Sequence, residues 1–257
     1  MYFVIFIFVF ILGLVVGSFL NVVIYRYGKE SLTGRSKCLS CGNKLAWWEL
    51  LPVISFMALR GKCSSCRSEI SIQYPLVELA TGLAFVVLYL FYSLSIPNLL
   101  VSWVIWSSLI VIFVYDLKHK IIPDSAVFVF WFFSLVNTVY VNPSLSYISN
   151  HLLAGIILSF FIFILWFISK GRWIGFGDVK LAMGMGFYLG IKNGIWALAW
   201  SFWSGAIVGL LILIFQKILE ITLSKKRKFL TIKSAIPFGP FMIIGIILSL
   251  ILKFNLF

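Results

Sequence analysis

Gly175-Phe176-Gly177-Asp178-Val179-Lys180 sets a carboxylate at the mouth of an apolar segment, and Leu181 to Ile191 follow without a charge. A second acid ends a different apolar segment upstream, in Tyr115-Asp116-Leu117-Lys118-His119-Lys120-Ile121-Ile122-Pro123-Asp124. A carboxylate at the border of a hydrocarbon layer is costly to keep and marks a task. How these two motifs are read depends on the chain around them.

That chain is 62% hydrophobic and 11% charged over 257 residues, with mean hydropathy +1.08. Soluble domains carry roughly half apolar and a quarter charged residues, so one soluble core cannot hide this surface. Apolar runs fall at 1–24, 74–94, 98–115, 126–141, 151–168, 181–191, 195–216 and 236–256. Several reach the roughly 20 residues that span a bilayer as helix. The expected fold is an all-α polytopic membrane protein of about eight transmembrane helices, seven if the short run 181–191 is re-entrant. Residues 1–24 form the first span, 25–73 a polar cysteine loop, and 74–257 the remaining membrane core. No basic n-region opens residues 1–24 and no small-residue cleavage site follows, so they read as a retained helix rather than a removed signal peptide.

The net charge of +13 comes from 21 Lys and Arg against 8 Asp and Glu. Loops 25–73, 116–125, 169–180 and 217–235 hold 19 of those 21 basic residues, leaving Lys192 and Lys253 on the other side. Positive residues favour the cytoplasmic side of short loops. An eight-span topology therefore puts both termini outside, and sets Asp116, Asp178 and all four cysteines at the cytoplasmic face. The run Lys225–Lys228 is an orientation signal and a contact for anionic membrane lipid. Nucleic acid is not an expected partner, because no aromatic-interleaved polar platform accompanies the charge.

Cys38-Leu39-Ser40-Cys41 and Cys63-Ser64-Ser65-Cys66 lie 21 residues apart in the one sizeable polar stretch. Two Cys-x-x-Cys pairs at this spacing can hold zinc tetrahedrally, and in a reducing compartment metal is favoured over disulfide. Four protein ligands leave no open position, so the expected metal is structural. A small loop of this kind draws much of its folding energy from the ion. Gly42 and Gly61 flank the pairs as turn residues. Trp47, Trp48 and the run Leu50 to Leu59 are set to lie on the membrane surface.

Two close carboxylates share one proton, so one member can activate water while the other polarises a carbonyl. Gly175 and Gly177 would give the backbone positive φ and close approach to a substrate. Against this stands a simpler role: an acid near a helix N-terminus is favourable against the dipole, and Asp178 can serve as a cap. Asp124, after Pro123, reads as a turn or N-cap residue. Glu78 reads as a structural partner inside the bundle, His119 as a loop residue, and His151 as lying at the opposite face. Gly184, Gly186 and Gly190 fall at small-residue spacing for close helix packing. No internal repeat is evident. Two rival readings are a proton-coupled transporter, which needs acids near mid-membrane, and a non-enzymatic assembly factor.

These residues together resemble the bacterial type IV prepilin peptidases, membrane aspartic peptidases of the GxGD type. Gly17-Ser-Phe-Leu-Asn-Val-Val-Ile-Tyr-Arg26 is similar to that family's first-helix ending, and the cysteine pairs with Tyr74-Pro-Leu-Val-Glu78 to its zinc loop. Tyr115 to Asp124 and Gly175 to Leu181 resemble its two aspartate motifs, and Ile236-Pro-Phe-Gly-Pro240 its last-helix opening. The resemblance implies a multi-pass hydrolase of the bacterial inner membrane, with Asp116 and Asp178 as the catalytic pair. Its partners would be prepilin or pseudopilin precursors of type IV pilus and protein secretion systems, cut after a leader glycine. It also implies, for many relatives, a methyltransferase that uses S-adenosylmethionine on the new N-terminus. Such leaders are basic, and Glu30, Glu49 and Glu69 are the acids the cysteine loop has to offer them.

Overall fold

The structure is a computed structural model that describes residues 2–28, 31–92, 95–223 and 237–253. Glu30 and the run Lys225–Lys228 lie outside the described residues, as does Ile236. The described chain is helical: α1 (Tyr2–Arg26), a 3-10 turn (Trp47–Leu50), α2 (Ile54–Ala58), α3 (Gln73–Tyr92), α4 (Ile96–His119), α5 (Asp124–Val141), α6 (Leu145–Ser169), α7 (Phe176–Leu223) and α8 (Gly239–Lys253). Six described helices are long and apolar enough to cross a membrane, and α8, at 15 residues, is shorter. Large apolar side chains lie on the outside, Phe3, Phe8 and Phe19 among them. A water-soluble surface does not carry apolar area on this scale, whereas lipid covers it at no cost. The chain divides into two compact units, residues 1–111 and 112–257.

In the first unit α1 packs on α3 through small residues. A Cβ on Gly13 would lie 2.7 Å from the Gly82 Cα, and one on Gly17 would lie 2.7 Å from the Glu78 Cα. Gly13 and Gly17 stand four apart, the spacing that lets two membrane helices touch backbone to backbone. Thr81 sits in the same seam with its hydroxyl donating to Val77 O, so it brings no unpaired polar group into the contact. The start of α4 joins this layer through Trp103, which stacks on Phe85 at 4.7 Å and donates from its indole nitrogen to Phe85 O.

In the second unit α7 raises a length problem. Its apolar part, Phe176–Phe215, runs 40 residues. As one unbroken helix that is about 60 Å, twice the roughly 30 Å of hydrocarbon. The chain solves this at Gly190, whose φ of 72° and ψ of −179° break the helix. Contacts along α6 give the direction on either side. Gly155 meets Met183, Gly186 and Phe187, while Leu158 meets Gly194 and Phe161 meets Phe202. Partners before Gly190 fall as α6 advances, and partners after it rise, so α7 is a hairpin folded back on itself. The runs expected at 181–191 and 195–216 are its two arms. α8 runs antiparallel to the second arm, with Ser249 bonded to Asn193 O, Gly245 against Ser201 and Phe241 near Gly205. α5 runs parallel to the first arm: Trp131 donates to Lys180 O and Thr138 to Phe187 O.

The break at Gly190 removes a helical hydrogen bond, because Ile191 N turns away from Phe187 O and donates to Asn150 Oδ1. Thr138 Oγ1 at 3.0 Å and His151 Nδ1 at 2.8 Å donate to that freed carbonyl instead. A buried carbonyl left unpaired costs about 1–3 kcal/mol, so these side chains replace what the backbone gave up. His151 is therefore the fastener of the hairpin, at the end of the unit remote from Asp116 and Asp178.

Candidate active site and metal centre

The other end of the second unit gathers the C-terminus of α4 with the N-termini of α5, α7 and α8. α4 stops where Lys120 takes a left-handed φ of 56° and donates to Asp116 O at 2.8 Å. Asp116 thus occupies the last turn of a helix, and His119 closes that helix, its ring 4.2 Å from that of Tyr115. His119 is helical rather than loop-borne. Helix α7 starts at Phe176, so Gly177 and Asp178 belong to its first turn rather than to a preceding loop.

Asp178 Oδ2 accepts from Gly175 N at 3.0 Å, the reach-back half of a capping box. The capping role weighed from sequence is therefore real, but it uses one oxygen only. Asp178 Oδ1 is buried and has no hydrogen-bond partner among the described residues. Asp116 is capped in the same sense from another helix: its Oδ2 accepts from Gly239 N, the first residue of α8, at 3.1 Å. Both acids are almost wholly buried, at 4% and 6% exposure. Gly177, next to Asp178, and Gly239, whose N–H holds Asp116, both abut Ile122. The two carboxylates, from distant stretches, are thus gathered around one side chain, each steered by a single backbone N–H.

Glycine makes this approach possible, for a reason other than positive φ. Neither Gly175 nor Gly177 has one. Instead, a Cβ on Gly177 would lie 2.9 Å from Ile122 Cβ, and a Cβ on Gly239 would lie 2.6 Å from Asp116 Oδ2. Ile122 is the wedge common to both glycines, since its Cδ1 would also stand 3.3 Å from a Gly239 Cβ. Gly239 and Ile122 carry no chemistry of their own, so no reading of residue types singles them out. The one clue was a glycine between prolines at the start of an apolar run. Asp124 is the first residue of α5, with Pro123 as the N-cap, and is paired at 2.7 Å with Lys180. Glu78 holds the backbone N–H of Val53 at 2.8 Å, the structural role expected of it.

In the first unit the four cysteines converge. Their Sγ atoms all lie within 4.8 Å of one another and none is in a disulfide. Cys38 and Cys66 stand 3.9 Å apart. A tetrahedral metal with bonds of about 2.3 Å requires sulfurs roughly 3.8 Å apart, so the cluster can bind a metal. The two pairs are built alike. Gly42 N and Cys38 N bond Cys38 O and Asn43 O; Arg67 N and Cys63 N bond Cys63 O and Ser68 O. Bridges Lys37–Lys44 and Lys62–Glu69 close the two turns. This is a duplicated turn that the sequence did not betray. The residue equivalent to Gly42 (φ 72°) is Arg67 (φ 60°), not Gly61. Backbone N–H groups of Cys41 and Ser40 hold the Cys38 thiol down at about 6, whereas at Cys41 the backbone N–H of Asn43 is opposed by burial and by the Cys38 and Cys66 sulfurs, and the thiol is pushed up to about 11.

Two family models match the chain. The Bacterial Peptidase A24 N-terminal domain matches residues 11–92, and the Type IV leader peptidase family matches residues 103–210. A prepilin leader peptidase/N-methyltransferase of Pseudomonas putida is 30% identical, over 91% of this chain and 86% of the relative. Proteins of the same name from Stutzerimonas stutzeri and Burkholderia pseudomallei are each 31% identical, over 91% and 93% of this chain and 86% and 82% of the relatives. No solved structure matches the chain. With two family domains in tandem and relatives aligned along nearly its whole length, the chain belongs to the type IV leader peptidase family.

Proposed function

We propose that the protein removes leader peptides from prepilin and pseudopilin precursors by aspartic hydrolysis, with Asp116 and Asp178 as the catalytic pair. The observation that carries this reading is that two buried carboxylates are gathered around Ile122, one of them keeping an oxygen with no partner among the described residues. In the proposed reaction one carboxylate is ionised and the other protonated. The ionised member takes a proton from a water as the water oxygen adds to the scissile carbonyl carbon, and the protonated member gives its proton to the carbonyl oxygen. As the tetrahedral species collapses and the C–N bond breaks, the carboxyl that took the water's proton gives it to the leaving nitrogen, and the other carboxylate takes a proton back from a hydroxyl of the gem-diol. The pair acts as a unit, so neither role belongs permanently to either residue.

The position of both acids within one turn of a helix end supports cleavage at a lipid–water border, and speaks against a proton relay at mid-membrane. Lys118, Lys120, Lys170 and Arg172 lie around that end, and Lys192 follows the Gly190 turn at the far end. By the positive-inside rule this supports a cytoplasmic active site in the inner membrane. Residues 1–24 then serve as first span, 25–73 as metal loop and 74–257 as peptidase core. Zinc is the metal that four thiolates at these separations suit. Exposed Trp47, Ile54 and Met57 support a loop that rests on membrane lipid. The relatives' shared name supports a second activity, N-methylation of the freed amine, for which S-adenosylmethionine would supply an electrophilic methyl group.

The test is purified protein in detergent with a prepilin, with and without S-adenosylmethionine, read by intact mass. Leader loss and a methyl increment then report separately. A protein that inserts, folds and leaves the prepilin whole would overturn the peptidase reading.

A further inference from the structure

Between the C-terminal end of α1, the N-terminal end of α3 and the cysteine loop, the first unit holds a cavity of about 360 Å³. Ligand sites of small-molecule size begin at roughly 300 Å³. The cavity lies wholly within residues 18–78, and neither Asp116 nor Asp178 lines it. Peptide hydrolysis as set out above has no use for it.

Its walls have a definite chemistry. Asn21 lines it and is 1% exposed. The Asn21 amide nitrogen is fixed by donation to Tyr74 O at 3.0 Å, while its Oδ1 is buried with no partner among the described residues. An acceptor left unpaired in such a place costs about 1–3 kcal/mol, which a donor on a bound molecule would offset. The buried carboxylate of Glu78, one oxygen of which accepts from Val53 N, lines the same space. Tyr25, Phe56 and Tyr74 add aromatic walls, and Lys37 an exposed cation. An occupant matched to these groups has a flat aromatic part, a positive or donor-rich part near Asn21 and Glu78, and a carboxylate for Lys37. S-adenosylmethionine has all three: an adenine, a sulfonium with an ammonium, and a carboxylate.

We propose that this cavity is the methyl-donor site, with Asn21 and Glu78 as its recognition residues; this rests on the methyl-transfer reading above. Cys38 and Cys63 form part of its wall. The metal cluster therefore shapes the donor site, which gives a structural metal a consequence for methyl transfer.

The experiment is equilibrium binding of radiolabelled S-adenosylmethionine to the purified full chain in detergent. It is run on wild type, Asn21→Leu, Glu78→Gln and the remote control Trp47→Ala, with metal content and thermal midpoint measured on each. Saturable binding by wild type and Trp47→Ala, weakened tenfold or more in Asn21→Leu and Glu78→Gln at unchanged metal content, is the expected result. Unaltered binding in both cavity variants overturns the assignment while leaving methyl transfer intact. A wild type that neither binds the donor nor adds a methyl to a cleaved prepilin overturns the methyl-transfer reading and the site with it. Should a cavity variant lose its metal or unfold, photo-crosslinking of wild type with an azido analogue of the donor decides. Adducts within residues 18–78 support the site, and adducts confined to residues 112–257 overturn it.

Discussion

Asp178 gives one carboxylate oxygen to Gly175 and keeps the other buried with no partner among the described residues, which is wasteful for a cap and useful for a catalyst. Replacing either acid by asparagine keeps the shape and removes the proton traffic. Asp116→Asn and Asp178→Asn should each lower leader removal by roughly 10²–10⁴-fold, the usual share of general acid–base catalysis. Intact-mass assay of a prepilin reads this, with the thermal midpoint as control for folding; near wild-type cleavage in either variant would refute the pair. Gly239→Ala is a finer probe. Its new Cβ would fall 2.6 Å from Asp116 Oδ2, so the carboxylate must move. Misplacing a catalytic group by about 1 Å costs on the order of 10²-fold. The loss should appear in kcat with KM nearly unchanged, since the added methyl displaces Asp116 itself. Both acids could be picked out from residue type and position, whereas Gly239 and Ile122 could not, because their contribution is room and shape.

At the level of the element, two devices take the strain of the fold: the broken helix α7 and the paired cysteine turns. Gly190 holds a φ of 72° and has Asn150 and His151 pressed against it. Gly190→Ala meets both the left-handed penalty and that contact, and should destabilise by about 1–3 kcal/mol. His151→Ala should cost about 0.5–1.5 kcal/mol by removing the shorter of the two hydrogen bonds to Phe187 O. Denaturant melts in detergent measure both; an unchanged midpoint in both variants would contradict the fastener role. Cys41→Ser should lose its metal and unfold the loop, and full metal stoichiometry in that variant would rule out the four-thiolate site. From sequence, Gly190 looked like one of three packing glycines. Gly184 and Gly186 are that, pressed on Phe130 and on Gly155. Gly190 differs because its backbone breaks the helix, and the side chains of Asn150 and His151 that complete the break come from α6, which no local pattern reveals.

For the whole molecule, the sidedness of charge is the property to test. Thiol-reactive labelling of intact cells should miss a Lys120→Cys variant and reach a Lys192→Cys variant, and the reverse pattern would invert the topology. Much of this could be read without coordinates. Hydrophobic runs long enough to cross a bilayer, the basic residues between them, two acids at segment ends and two Cys-x-x-Cys pairs are all local or countable, and hydrocarbon enforces them residue by residue. Other features are relations between distant residues. Asp116 is aimed by Gly239 across more than a hundred positions, α7 turns back because α6 supplies bonds for the turn, and the cysteine turns repeat through hydrogen bonding that unlike residues share. The cavity beside Asn21 arises only where α1, α3 and the loop close on one another. Solvent preference acts on each residue by itself, so sequence alone determined class, spans and candidate acids. Packing and hydrogen-bond completion act on pairs, so tertiary structure alone decided which groups meet.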